Sequence, residues 1–308
     1  MTRLFILFYA TLLLLFSCKS KSNFVAFTYP EGKYKALVLS YDDGTIQDIQ
    51  LAKLFDKYGL VGTFNLNSSY LGTTLAWPVE FGDTIFQKYV PKDSLLIIYK
   101  NHEIAAHGAF HKDFIKISEK EILEEVNTDI KQLTALTQRK ILSMAYPFGN
   151  TNESISKLIS TTGISNARTV SDTYKFDLPE NYLRWNPTCH DSKVLEYTDA
   201  FLALNKKSLS LFYVWGHSWE FSDQKRWNNM LSFCEKMGKQ QNIWSVGTAE
   251  LTSYLQAIKR LQIKDNKISN PADNSPVWIE LSTGLIKLNA GESVDVNTGD
   301  EDLRGVCL

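Results

Sequence analysis

Disulfide-forming capacity is the first thing this sequence lacks. Its 308 residues hold four cysteines, Cys18, Cys189, Cys234 and Cys307, and their spacing is unpaired. The three that follow the N-terminal leader form neither a disulfide framework nor a cysteine zinc site, and they read as buried free thiols. A surplus of either charge is also missing. Lys plus Arg total 33 against 34 Asp plus Glu, for a net charge of -1, so nothing electrostatic favours nucleic acid or another polyanion. A comfortable membrane span is missing as well, because the apolar run Leu4 to Phe16 is too short for one. Histidine is scarce at five, which makes its placement informative. Aromatics are generous, with Trp 7, Tyr 14 and Phe 17; most such side chains are core, and they also stack on sugar rings. The length suits a single α/β barrel with a large core.

The leader "MTRLFILFYATLLLLFSCKSKSN" places one basic residue before its apolar run and ends that run at Ser17-Cys18. This is the h-region pattern of a signal peptide. "LFSC" resembles the lipobox of bacterial lipoproteins, with Phe16 bulkier than the usual residue there. The expectation is a signal peptide over 1–17, lipidation at Cys18, and an exported domain anchored to a bacterial membrane by lipid alone, on the periplasmic or surface side. An ordinary signal peptide and an uncleaved anchor are the alternatives.

Strand-like and helix-like segments then alternate. After a lead-in over 18–34, "KALVLS" is a strand and "TIQDIQLAKLFDKYG" a helix with Leu51, Leu54, Phe55 and Tyr58 on one face. "LVGTFNL" is a strand, "SLLIIYK" is helix-like and "HEIAA" is a strand. "SEKEILEEVNTDIKQLTAL" opens with Ser118 and Glu121 in capping-box spacing and sets Leu123, Val126, Ile130 and Leu133 on one stripe. The alternation continues through "KILSMAYP", "NESISKLISTTG", "ISNARTV", "SLSLFYVWG", "RWNNMLSFCEKMG", "NIWSVG" and "TAELTSYLQAIKR". Such alternation predicts βαβ units in a parallel sheet, and about seven repeats suggest a barrel over 35–262. The tail over 263–308 changes character. "VWIEL" and "LIKLN" around Gly284 predict a β-hairpin in a short β-rich extension.

Chemistry in parallel α/β folds collects at the C-terminal ends of strands. Asp42 and Asp43 follow one strand, His107 and His111 another, "YPFGN" a third and His217 a fourth. Taken singly each has a plain explanation: a turn, a loop histidine, a half-buried histidine. Their convergence on one face predicts a site.

In this order the motifs "SYDDG", "HGAFH", "YPFG" and "VWGH" resemble the polysaccharide deacetylase family, the NodB-homology carbohydrate esterases, over about Lys35 to Arg260. The resemblance implies a distorted (β/α) barrel holding a divalent metal, most often Zn2+, with Co2+, Ni2+ and Mn2+ as alternatives. It implies Asp43, His107 and His111 as ligands, Asp42 as general base, the Phe148 N–H as oxyanion donor and His217 as general acid. Two imidazoles and a carboxylate leave positions open for water and a substrate carbonyl, as catalytic metal sites require. The implied reaction is removal of acetyl groups from an acetylated glycan. N-deacetylation of an amino sugar is favoured, because an amine is a poor leaving group and needs the acid. O-acetyl ester cleavage and a glycan-binding lipoprotein without catalysis are the alternatives.

The sequence departs from the family at two points. Ala145 stands where the third motif usually carries an arginine that tethers the base, and "SDTY" at Ser171 to Tyr174 is a poor match to the fourth motif. Arg168, at the end of "NARTV", is the candidate replacement. Tyr146, Pro147, Trp219 and Glu220 are candidate substrate contacts, and Trp185, Trp215 and Phe221 are further stacking candidates.

Overall fold

The computed structural model describes residues 24–78, 84–221 and 224–296. The leader, Cys18 and Cys307 lie outside them. Among the described residues no helix is long and apolar enough to cross a membrane.

Eight parallel strands form the main sheet: β1 Lys35–Asp43, β2 Gly62–Leu66, β3 Glu103–Ala106, β4 Ser143–Ala145, β5 Asn166–Arg168, β6 Cys189–His190, β7 Ser210–His217 and β8 Ile243–Ser245. Their lateral order is β5-β4-β3-β2-β1-β7-β6, with β8 pairing the first residues of β1. The sheet curls until its edges meet. Trp185 forms a parallel bridge to Arg168, Thr169 N–H donates to Trp185 O at 2.9 Å, and Thr188 N–H donates to Tyr213 O at 2.8 Å. An irregular segment therefore closes the ring: the alternation predicts a barrel, and its distorted form is the one the family resemblance implies.

The run "KALVLSY" forms β1 because both of its faces are covered. Leu37, Leu39 and Tyr41 enter one apolar cluster and Ala36 and Val38 another. The same two-residue period turns Ser40 and Asp42 to the Ala36/Val38 side, the barrel interior. Asp43 lies at the turn, where φ is 81°.

Helices Asp48–Lys57, Glu119–Thr137, Glu153–Ile159, Val194–Ala203, Gln224–Met237 and Thr248–Lys259 accompany the strands. The Ser118/Glu121 capping box is present in both directions. The buried stripe of Glu119–Thr137 differs from expectation. Ile122, Glu125, Val126, Asp129 and Leu133 are buried, while Leu123 and Ile130 are half-buried. The helix is turned so that two carboxylates face inward, toward the loop that follows β3.

The tail hairpin forms between Val277–Leu281 and Gly284–Leu288, with Leu281 opposite Gly284. Val25–Thr28, inside the segment read as a lead-in, adds a third antiparallel strand to it. Phe27, Tyr29, Leu251, Val277 and Ile279 share one buried cluster, so the N-terminal strand, the tail and helix Thr248–Lys259 pack together. A second hairpin, Thr74–Pro78 with Thr84–Lys88, went unread in the sequence and borders the site. Cys189 and Cys234 are free and buried, and burial raises both thiol pKa values.

Candidate active site

Because the strands are parallel, their C-terminal ends deliver Asp42, Asp43, His107, Arg168 and His217 to one end of the barrel. The loop after β3 adds His111 and the turn after β4 adds Phe148. Asp43, His111 and Phe148 all have positive φ, at 81°, 52° and 60°. Such conformations cost about 1–3 kcal/mol each and persist where surrounding structure enforces them.

Asp43 Oδ1 lies 3.7 Å from Nε2 of both His107 and His111. One ligand atom from each of the three falls within 4.8 Å of the others. His107 Nδ1 is 2.9 Å from the Ala145 carbonyl, which can only accept, so its proton sits there and the Nε2 lone pair faces Asp43. Burial and the neighbouring His107 push His111 down to about 4 against the pull of Asp43, which leaves a neutral imidazole. Trp219 Nε1–H donates to Asp43 Oδ2 at 2.8 Å and orients the carboxylate. This donor set fits a divalent cation such as Zn2+.

Asp42 is 2% exposed, and an isolated charge there would be untenable. Arg168 Nη2 reaches both of its oxygens at 2.5 Å, and Asn65 Nδ2 donates to Oδ1 at 2.8 Å. Burial favours the neutral acid, yet Arg168, His107 and His217 outweigh it and hold Asp42 down at about 2. Arg168 is itself 1% exposed, donates through Nε to Ser40 Oγ at 3.2 Å, and lies 5.0 Å from the Trp215 ring centre. A guanidinium from β5 thus tethers Asp42.

His217 faces Asp42 with Nε2, 4.0 Å from Oδ2, and faces Glu220 with Nδ1, 2.8 Å from Oε1. Burial lowers its pKa, but the Glu220 hydrogen bond and the Asp43 and Asp42 charges lift it to about 9. Glu220, read from sequence as a substrate contact, is instead committed within the protein. Its Oε2 accepts from Arg226 at 2.8 Å, and Arg226 also meets Asp191 at 2.6 Å. Asp172 of "SDTY" accepts from Trp215 Nε1 and the His190 N–H, away from His217.

Two residues missed in the sequence support the histidine loop. Asp129, fully buried, accepts from the Ser68 and His107 N–H groups at 2.8 Å each. Glu125 Oε2 accepts from Phe110 N–H at 2.8 Å. Asn67 completes the cradle by donating to the His107 and Gly108 carbonyls. The stripe read from the sequence, Leu123, Val126, Ile130 and Leu133, passes beside both acids and gave no sign that they face inward.

These groups line a cavity of about 360 Å³ with Trp77 and Gln87 of the unread hairpin and Tyr89 just after it. Phe148 and Trp219 are exposed at 57% and 38%. Trp215 is half-buried at the wall. Tyr146 reaches the cavity but is buried, with its hydroxyl donating to Leu183 O at 2.8 Å, and Pro147 is buried as well. Trp185 and Phe221 are 1% and 4% exposed, so neither offers the stacking face expected of it.

The sequence model described as "Polysaccharide deacetylase" matches residues 27–167, a span that includes Asp42, Asp43, His107, His111 and Phe148. Over those residues the chain is similar to the polysaccharide deacetylase family. No curated protein matches it. Among solved structures, a polysaccharide deacetylase from Mycobacterium smegmatis aligns at 14% identity and TM-score 0.55, covering 78% of this chain and 98% of the other. At that identity the likeness concerns the fold. A family 4 carbohydrate esterase from Streptomyces lividans aligns at 13% identity and TM-score 0.44, covering 69% and 92%. The Bacillus subtilis peptidoglycan deacetylase PdaC aligns at 14% identity and TM-score 0.45, covering 73% and 95%. The His217/Glu220 half of the deacetylase site lies beyond the matched segment, on the remainder of the same barrel.

Proposed function

We propose that this deacetylase removes N-acetyl groups from an amino-sugar glycan in a metal-dependent hydrolysis. The observation that carries the reading is the pairing of Asp42, held ionised, with His217, held protonated, 4.0 Å apart beside the Asp43/His107/His111 trio. Opposite protonation states in one cavity supply a base and an acid at neutral pH.

Asp43, His107 and His111 would hold the cation, most reasonably Zn2+, which when bound polarises the acetyl carbonyl and acidifies water. Asp42 takes a proton as the water oxygen bonds to the carbonyl carbon. Arg168 keeps Asp42 charged and aimed, and lowers its basicity in doing so. The Phe148 N–H, placed by the motif after Pro147, receives the developing oxyanion. As the C–N bond breaks, His217 gives its Nε2 proton to the leaving nitrogen and Glu220 holds the imidazole. The products are acetate and a free amine. Phe148 and Trp219 offer exposed rings to the sugar.

O-acetyl ester cleavage is the second reading of the same site. The strong support of His217 by Glu220 favours the amide, whose leaving group needs protonation. Acetate release by the zinc-loaded chain from matched N- and O-acetylated oligosaccharides separates the two, with turnover of the O-acetylated series alone overturning N-deacetylation. Failure on both, with metal bound, supports a glycan-binding protein. The leader and "LFSC" support export and lipid anchoring at Cys18.

A further inference from the structure

His217 has two faces, and only Nε2 is used by the chemistry above. Its Nδ1 looks away from the Asp43/His107/His111 trio, toward a second group of ligand atoms. One ligand atom from each of His190, His217 and Glu220 lies within 4.8 Å of the others. The individual spacings are 2.8 Å for His217 Nδ1 to Glu220 Oε1 and 3.2 Å for His190 Nε2 to Glu220 Oε2. Tetrahedral Zn2+ with N and O ligands needs separations of about 3.4 Å, so small side-chain rotations bring the three into range.

We propose that His190, His217 and Glu220 form a second divalent-cation site whose occupation disables the catalytic acid. Three features favour it. His190 Nδ1 accepts from the Ser192 N–H at 3.3 Å and also lies 2.9 Å from Ser192 Oγ and 3.5 Å from Asp191 Oδ1, two acceptors that can take a proton at Nδ1 once that N–H contact yields and Nε2 binds a cation. Arg226 engages Glu220 through Oε2 and leaves Oε1 for the ion. The three ligand side chains are 17–21% exposed, which gives an ion access from solvent.

A cation at Nδ1 replaces the proton that Glu220 stabilises and releases it to water. What remains on His217 is the N–H at Nε2 of a metal-bound imidazole, a much weaker acid than imidazolium. The ion would therefore inhibit leaving-group protonation without touching Asp43, His107 or His111. This regulatory part rests on His217 acting as the acid, whereas the site itself does not.

Equilibrium dialysis of the full chain against Zn2+, with bound metal counted, tests the site. Wild type binds a tight ion and a weaker second one. Removing a ligand in His190→Gln weakens the second by more than about 100-fold, since even outer-shell changes cost about 10–100-fold. Asp43→Asn loses the tight ion and keeps the weaker one. In parallel, acetate release by wild type rises with the first ion and falls with the second, while His190→Gln shows the rise without the fall. A single ion in wild type, or unchanged second-ion binding in His190→Gln, overturns the proposal. Absence of acetate release at every zinc level counts against the deacetylation reading, and the ion count then decides the second site independently.

Discussion

Asp42 sits almost wholly out of water and carries a charge because Arg168 meets both of its oxygens. Removing one partner of a buried ion pair costs about 3–5 kcal/mol, so Arg168→Ala should lose stability of that order in urea unfolding. It should also raise the pKa of Asp42 and move the acid limb of the kcat/KM profile to higher pH; an unmoved limb would show that Arg168 does not act on the base. With its folded value lowered to about 2, Asp42 contributes stability that is full above its unfolded range near 4 and is lost as pH falls toward 2. His217 has the opposite sign. Raised to about 9, it contributes stability that is full below its unfolded value near 6.5 and is lost as pH rises through 9. Glu220→Gln removes the largest influence raising it, so the basic limb of the activity profile should shift to lower pH. Arg168 was legible in the sequence from its strand-end position alone. Glu220 was legible as a site residue but not as the partner of His217, because an acid three residues along a loop has no periodicity to announce its direction.

Helix Glu119–Thr137 shows why some of the site was unreadable. An acidic residue in an amphipathic helix is ordinarily assigned to the solvent face, so the apolar residues Leu123 and Ile130 were placed on the buried stripe instead. The structure gives that face to Glu125 and Asp129, which satisfy the backbone of the loop bearing His107 and His111. Only the three-dimensional course of that loop reveals the need for acceptors there. Asp129→Asn puts an NH2 group against one of two N–H donors. The expected result is a loss of about 10–100-fold in Zn2+ affinity, measured by competition with a chromophoric chelator, with the helical circular dichroism retained. Unchanged affinity would reduce Asp129 to a packing role. The strands needed no such help, since continuous apolar runs ending in polar residues described both the barrel and its working face. The hairpin Thr74–Pro78/Thr84–Lys88 escaped notice because its strands are short and only partly buried.

For the molecule as a whole, the barrel packs as one unit with the described segments that flank it, Val25–Thr28 and residues 277–288. Val277, Ile279, Leu281 and Leu288 are buried in the cluster that holds Phe27, Tyr29 and Leu251. Burial of each such side chain contributes about 1.5–3 kcal/mol, and whole domains retain only about 5–15 kcal/mol of net stability. A chain ending at Arg260 should therefore fail to fold cooperatively, whereas a thermal transition equal to that of the full chain would show the tail to be an independent appendage. The bearing on catalysis is indirect, through β1, whose interior face joins this cluster below and carries Asp42 above.

Acetate release from an N-acetylated amino-sugar oligomer, by the full chain stripped of metal and then reloaded with Zn2+, bears most directly on the central claim. The stripped chain should be silent and the reloaded chain active. Asp42→Asn should bind the ion and still lose about 10²–10⁴-fold in rate, the usual worth of a general base. Full turnover by metal-loaded Asp42→Asn, or no release by reloaded wild type across the acetylated panel, would contradict it.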